Sequence, residues 1–200
     1  MSSSSVFTDV PAGKIAAVVT YLEMSARPDI EAPAASPSGG VLRRVGKPQT
    51  DWYRKLYLRI GSDLLWFSAL TKSGKELERK INRPGIEIFA YALDGNDEGL
   101  LELDFSQPDE CELGFFGLTP KTVGTGAGRF MMSHAIEKAW SRDISRFWLH
   151  TCTLDHPNAL PFYLRSGFTA YKRQVELADD PRLDGTLPGD AAPQVPVIAP

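Results

Sequence analysis

The chain has 200 residues, 42% of them apolar, and a formal net charge of −3. That is enough apolar matter for one core in one domain, and the acidic balance argues against a nucleic-acid-binding surface. Two cysteines, Cys111 and Cys152, with no zinc spacing between them, fit a reducing compartment and give no disulfide framework and no metal site.

Along the chain, residues 1–13 are small and polar and are expected to fray. They lack the basic region and apolar core of an export signal, and no apolar run approaches a membrane span, so a cytoplasmic location away from membranes is expected. Lys14 to Glu23 reads as a first, β-branched-rich strand. Arg27 to Thr50, with Pro28, Pro33, Pro37 and Gly39-Gly40, reads as loop. Thr50 or Asp51 can cap a helix from Trp52, with Trp52, Leu56, Ile60 and Leu64 at helical intervals and Gly61 as a weak point. A short helix is predicted over Gly74 to Ile81, ended by Pro84. Strands are predicted over Ile86 to Leu93, Gly99 to Phe105 and Glu110 to Leu118, with a hairpin turn at Asp94-Gly95-Asn96. A helix from about Arg129 to Trp140, a strand over Phe147 to Thr151, a helix after Pro157 and a last extended segment over Thr169 to Leu177 complete a single domain over 14–178. Residues 179–200, proline-rich and without periodicity, are expected to be a disordered tail.

Between the strand ending at Leu118 and the helix carrying Phe130, Met131, Ala135 and Ala139 lie three glycines, Gly124, Gly126 and Gly128. Glycines let backbone N–H groups approach an oxyanion, and a helix N-terminus adds partial positive charge, so a phosphate or pyrophosphate ligand is expected. The dinucleotide pattern Gly-x-Gly-x-x-Gly fails, because Arg129 or Met131 stands where the third glycine belongs, and no nucleotide P-loop is present. The register Leu118, Pro120, Gly124, Gly126, Gly128, Arg129 resembles the coenzyme-A loop of the GCN5-related N-acetyltransferase (GNAT) family, with Val123 where that family has Arg or Gln. A second segment, His156 to Phe168, resembles that family's later motif through Ala159, Tyr163, Gly167 and Phe168, with His156 in place of an Asn. The two motifs are separated by one helix and one strand, as in the family.

The resemblance implies the GNAT acyl-CoA acyltransferase fold, an α/β (α+β) arrangement of a mixed, mostly antiparallel sheet with helices on both faces. It implies acetyl-CoA as co-substrate, held by the backbone of Phe116, Gly117 and Leu118, by the loop Val123, Gly124, Thr125, Gly126, Ala127, Gly128 and Arg129, and by His156, Ala159 and Tyr163. The missing charge at Val123 falls to Lys121 or Arg129. The acceptor is expected to be an amine, on a small molecule or a protein, and a homodimer is compatible with the sequence. Amine acetylation needs a base, a donor to the oxyanion and help for the leaving thiolate. Glu112, at the start of the strand before the loop, resembles the base of the histone-acetyltransferase branch, and Tyr163 the acid. Gly114 and Gly117 mark that strand as irregular, consistent with a bulge. His150 and His156 compete for the base role, Cys152 is a candidate nucleophile of last resort, and Trp52, Tyr53, Trp66 and Phe67 are candidate acceptor-site walls or core. The competing functions are a catalytically silent coenzyme-A-binding module and, from the proline-rich tail alone, an interaction scaffold.

Overall fold

The computed structural model describes residues 7–29 and 31–200; the expected flexible N-terminus therefore lies partly outside the described residues. Seven strands form one sheet in the order β2-β3-β4-β5-β6-β1-β7. They are β1 (Lys14–Met24), β2 (Val41–Arg44), β3 (Ile86–Leu93), β4 (Asn96–Asp104), β5 (Glu110–Leu118), β6 (Arg146–Cys152) and β7 (Thr169–Asp179). Only the β5–β6 contact is parallel; the rest are antiparallel. Among the described residues the α-helices are α1 (Thr50–Gly61), α2 (Gly74–Ile81), α3 (Ala127–Ala139) and α4 (Ala159–Arg165).

Helices pack on both faces. On one, Tyr53, Leu56, Tyr57 and Ile60 of α1 and Leu77 and Ile81 of α2 bury Ile88, Leu100 and Phe115. The side of α1 that faces the sheet therefore begins at Tyr53 rather than Trp52. Helix α1 stops at Gly61; Ser62–Leu64 continue as one 3-10 turn, and Leu65, at φ 52°, ends it. Helix α2 carries a full capping box, in which Ser73 accepts from the Glu76 N–H and Glu76 accepts from the Ser73 N–H. On the other face, Phe130, Met131, Ala135 and Ile136 of α3 and Tyr163 of α4 cover Leu22, Phe89, Leu101, Leu103, Leu113, Phe147 and Leu149.

One placement differs from the sequence expectation. The loop predicted over 27–50 contains β2, which pairs with β3. Strand β1 does not sit beside it; it lies at the far side of the sheet between β6 and β7. Alternating burial says that one face of β1 turns to the core and the other to solvent, but it does not name the neighbours.

The tail expected to be disordered packs instead. Leu187, Ala191 and Ala192 bury Ile15 and Leu65. Arg182 organises this segment: its side chain pairs with Asp180 at 2.7 Å and donates to the carbonyls of Ala191, Ala192 and Val195. Prolines remove donors and periodicity, but one buried guanidinium with five donors supplies the order that backbone pairing would otherwise give. Among the described residues no helix is long and apolar enough to cross a membrane.

Candidate active site

The site begins where two strands part. Strands β5 and β6 pair at Glu110↔Arg146, Cys111↔Phe147 and Glu112↔Trp148, and there the pairing stops, although β5 runs on to Leu118 and β6 to Cys152. The cause sits two residues further on. Against β4, Glu102 faces Phe115 and Leu103 faces Leu113, so Gly114 is an extra residue in β5, a bulge that bends the strand away. A Cβ there would lie 3.0 Å from Glu102 Oε1, so glycine also suits the space. From Leu113 to Leu118 the edge of β5 turned toward β6 has no strand partner, and this includes Phe116, Gly117 and Leu118.

At the top of this opening lies the glycine loop. Pro120–Thr122 form one 3-10 turn, and the buried Thr122 hydroxyl is within hydrogen-bonding distance of the Glu98 and Thr119 carbonyls, which fixes the turn. Gly124 and Gly126 have φ of 82° and 89°, a region closed to most side chains. Gly126 caps α3 with no side-chain hydrogen bond, so the first N–H groups of that 13-residue helix are left for an external acceptor. Val123 is exposed and adds no charge. Lys121 is committed to Asp94, at 3.4 Å. Arg129, in the first turn of α3, is exposed and makes no ion pair among the described residues, so it is the cation available to a pyrophosphate. These features fit coenzyme A.

Helix α4 crosses the opening on the α3 face. Phe162 stacks on Phe116 at 5.7 Å, and Tyr163 meets Phe116 edge-on at 6.3 Å. Tyr163 is buried, and burial, with the Asp155 charge as a smaller cause, pushes its phenol well above the ordinary value. It stays protonated at neutral pH and keeps its O–H donor. His156 is exposed; its Nδ1 accepts from the Asn158 N–H at 3.1 Å, so it shapes the entry turn of α4. Ala159 packs at the edge of the core.

Three carboxylates lie on the α1 face of β4 and β5. Glu102 is fully buried, accepts from the Tyr53 hydroxyl at 2.8 Å and pairs with Lys80 at 3.1 Å. Glu98, also buried, is bound by Arg59 and by the Thr119 hydroxyl, each at 2.6 Å. Both are structural. Among the described residues the one ion-pair partner of Glu112 is His150, Nδ1 to Oε1 3.9 Å. Burial raises its pKa to about 6, with Asp104 adding to the rise. The structure thus brings Glu112 and His150 together, and of these three carboxylates Glu112 is the one whose side chain makes no hydrogen bond among the described residues. Cys152 is an unpromising nucleophile, since burial raises its thiol to about 11.

Sequence reasoning missed several neighbours. Tyr21 lies opposite His150 and Glu23 opposite Trp148, so both share a face with Glu112. Arg146 pairs with Glu23 at 2.7 Å and Glu110 at 3.0 Å, fixing the base of the opening. Asp155, just after β6, accepts from Trp66 Nε1 at 2.6 Å and from the Thr151 hydroxyl at 2.6 Å. No local pattern marks these partners, because each comes from a distant segment.

Comparison with known proteins agrees with this geometry. The family model described as "Acetyltransferase (GNAT) family" matches residues 54–168. No curated protein matches. Among solved structures, a functionally unknown conserved protein from Staphylococcus epidermidis aligns at 14% identity over 84% of this chain and 64% of its own, with a TM-score of 0.55. A GCN5-related N-acetyltransferase from Sphaerobacter thermophilus aligns at 13% identity over 82% of this chain and 51% of its own, with a TM-score of 0.59. An aminoglycoside acetyltransferase from an uncultured soil metagenomic sample aligns at 13% identity over 68% of this chain and 93% of its own, with a TM-score of 0.56. The chain thus spans about two thirds of the first of these proteins and about half of the second, and at such identities the likeness is one of fold. With the family model covering more than half of its length, and with the bulged strand, the glycine loop and α4 in place, the chain belongs to the GNAT acetyltransferase family.

Proposed function

We propose that this protein moves an acetyl group from acetyl-CoA to an amine by direct transfer. The observation that carries the proposal is the opening between β5 and β6, which has an uncapped helix N-terminus at its top, a protonated tyrosine on one side and an uncommitted carboxylate at its base. Ala127, Gly128 and Arg129 amides with the Arg129 side chain would hold the pyrophosphate, and the free edge at Phe116–Leu118 the pantetheine arm. The thioester supplies an activated acyl carbon and a thiolate leaving group.

The residues then divide the work. As the amine nitrogen bonds to the carbonyl carbon, its N–H becomes acidic, and Glu112 takes the proton directly or through water. When the C–S bond breaks, the electron pair leaves on sulfur. A thiol has a pKa near 8.5, lower than that of any tyrosine raised by burial. Tyr163 therefore stabilises the thiolate as a hydrogen-bond donor and keeps its proton, and the proton released overall is the amine's. Backbone amides of β5 face the developing oxyanion.

A second reading, a coenzyme-A-binding module without turnover, rests on Val123 and His156. Calorimetry with coenzyme A and thiol release from acetyl-CoA over a panel of amines separate the two. Gly126→Asp places a carboxylate at the uncapped helix start. It removes one or two charge-assisted contacts of roughly 1.5–3 kcal/mol each, so coenzyme affinity should fall by about a hundredfold. Unchanged affinity in the folded variant contradicts the assigned binding loop.

A further inference from the structure

On the α1 face, the opening between β5 and β6 carries a cover assembled from separate parts of the chain. Its centre is Trp66. The indole fits a slot between two glycines: a Cβ on Gly61 would come within 2.5 Å of Trp66 Cε3, and one on Gly117 within 3.0 Å of Trp66 Cζ3. Glycine is unfavourable both in a helix and in a strand; this ring accounts for it at Gly61, and together with Ile60 at Gly117. The indole meets Phe115 edge-on, with centroids 4.9 Å apart. Its Nε1 donates to Asp155 Oδ1 at 2.6 Å, and Asp155 is itself fixed by the Thr151 hydroxyl at 2.6 Å and the Cys152 N–H at 2.8 Å. One ring thus touches β5 and is tethered to the turn that follows β6. Behind it, Leu65 is buried against Leu187, Ala191 and Ala192, and Gln194 donates to the Asp63 carbonyl at 3.1 Å. The C-terminal segment therefore backs the loop that carries the ring.

We infer that Trp66 determines acyl specificity: its anchored indole fills the space beside Gly117 and limits the transferred group to a short acyl chain. The inference rests on the acetyl-transfer reading, which assigns the Phe116–Leu118 backbone to the thioester. Beside Gly117 on this face there is no slack, since Ile60 Cγ2 would lie 2.5 Å from a Cβ there and the indole takes the rest. A longer chain must displace a ring held by a carboxylate hydrogen bond and by two close glycine contacts. A tryptophan that served packing alone would stabilise the fold and leave chain-length preference untouched.

The test is calorimetric binding of acetyl-, butyryl- and hexanoyl-CoA to the full chain and to three variants. Trp66→Ala takes a large ring from the α1 core and risks the fold, so Trp66→Leu and Trp66→Phe are measured beside it. One methylene in an apolar pocket is worth about 10-fold or more. The native chain should bind hexanoyl-CoA at least about tenfold more weakly than acetyl-CoA. Trp66→Leu, and Trp66→Ala if folded, should narrow that ratio by about tenfold, whereas Trp66→Phe, which keeps a ring in the slot, should retain most of it. The ratio, unlike affinity alone, does not move with general loosening of the fold. An unchanged ratio in folded Trp66→Leu, or a native chain without chain-length discrimination, overturns the inference and leaves the acetyl-transfer reading standing. Failure to bind any of the three thioesters overturns both.

Discussion

The two faces of the opening are built in different ways. On the α3 face, the parts assigned to the coenzyme come from two contiguous runs, Leu118 to Arg129 and His156 to Phe168, each folded around its own glycines and helix ends. On the α1 face, the parts assigned to the acyl group and the acceptor are collected from β1, the turn after α1, the start of β5, the middle of β6 and the C-terminal segment. A phosphate is the same for every member of such a family and can be met by one local motif. An acceptor is particular to the protein, and the face that meets it is held by long-range contacts.

If that division is right, damage on each face should read out differently. The largest effect is expected at Tyr163, on the α3 face. Tyr163→Phe keeps the edge-on contacts with Phe116, Phe162 and Phe168 and removes only the donor. Turnover should fall by about 10²–10⁴-fold with coenzyme affinity nearly unchanged, and the loss should shrink with a thioester whose leaving group is more acidic. A fully active variant, measured by steady-state thiol release, would make solvent the donor.

A smaller effect is expected from the C-terminal segment, and on stability. Arg182 and Asp180 are both nearly inaccessible. Arg182→Met strands a buried carboxylate and the carbonyls of Ala191, Ala192 and Val195, at about 3–5 kcal/mol. Because this segment backs the Trp66 loop, the variant should also loosen acyl selectivity before it weakens coenzyme binding. Chemical denaturation and the acyl-CoA series check both parts; a loss confined to stability would detach the tail from the site.

The smallest effect is that of Glu112 on stability, and it has a defined sign. Its pKa is raised to about 6 by burial, so the folded state favours the protonated form. The stabilisation is fully present below the unfolded value near 4.5 and is lost as pH rises through 6. At pH 7–8 the ionised carboxylate therefore costs stability, and Glu112→Gln should raise the unfolding free energy by on the order of 1 kcal/mol there, with no gain at pH 4. A destabilised variant at pH 8 would mean that Glu112 is held as an anion by partners other than His150.

The sequence disclosed what is written locally. Three glycines before a helix point to an anion site and Gly114 to an irregular strand, because local spacing sets that geometry, and the resemblance of Tyr163, Gly167 and Phe168 to a family motif points to coenzyme A. Gly61 was legible only as a flaw in α1, since its reason is a ring five residues later whose hydrogen-bond partner, Asp155, stands 89 positions away in the chain. The place of β1 beside β6 was not legible, because a strand's alternation fixes its faces and leaves its neighbours open. The packed tail was hidden for a third reason. Its order depends on one arginine bonding to carbonyls, and carbonyls have no sequence signature.

The account turns on Glu112 as the base, and the pH dependence of kcat/KM tests it most directly. The measurement compares the native chain with Glu112→Gln, using acetyl-CoA and a primary amine whose own pKa, near 10, stays clear of the region of interest. The native profile should rise through a limb near pH 6, where Glu112 ionises, and Glu112→Gln should lose that limb together with about 10²–10⁴-fold of the rate. Profiles that superimpose would remove Glu112 from the reaction and leave His150 as the group that takes the proton.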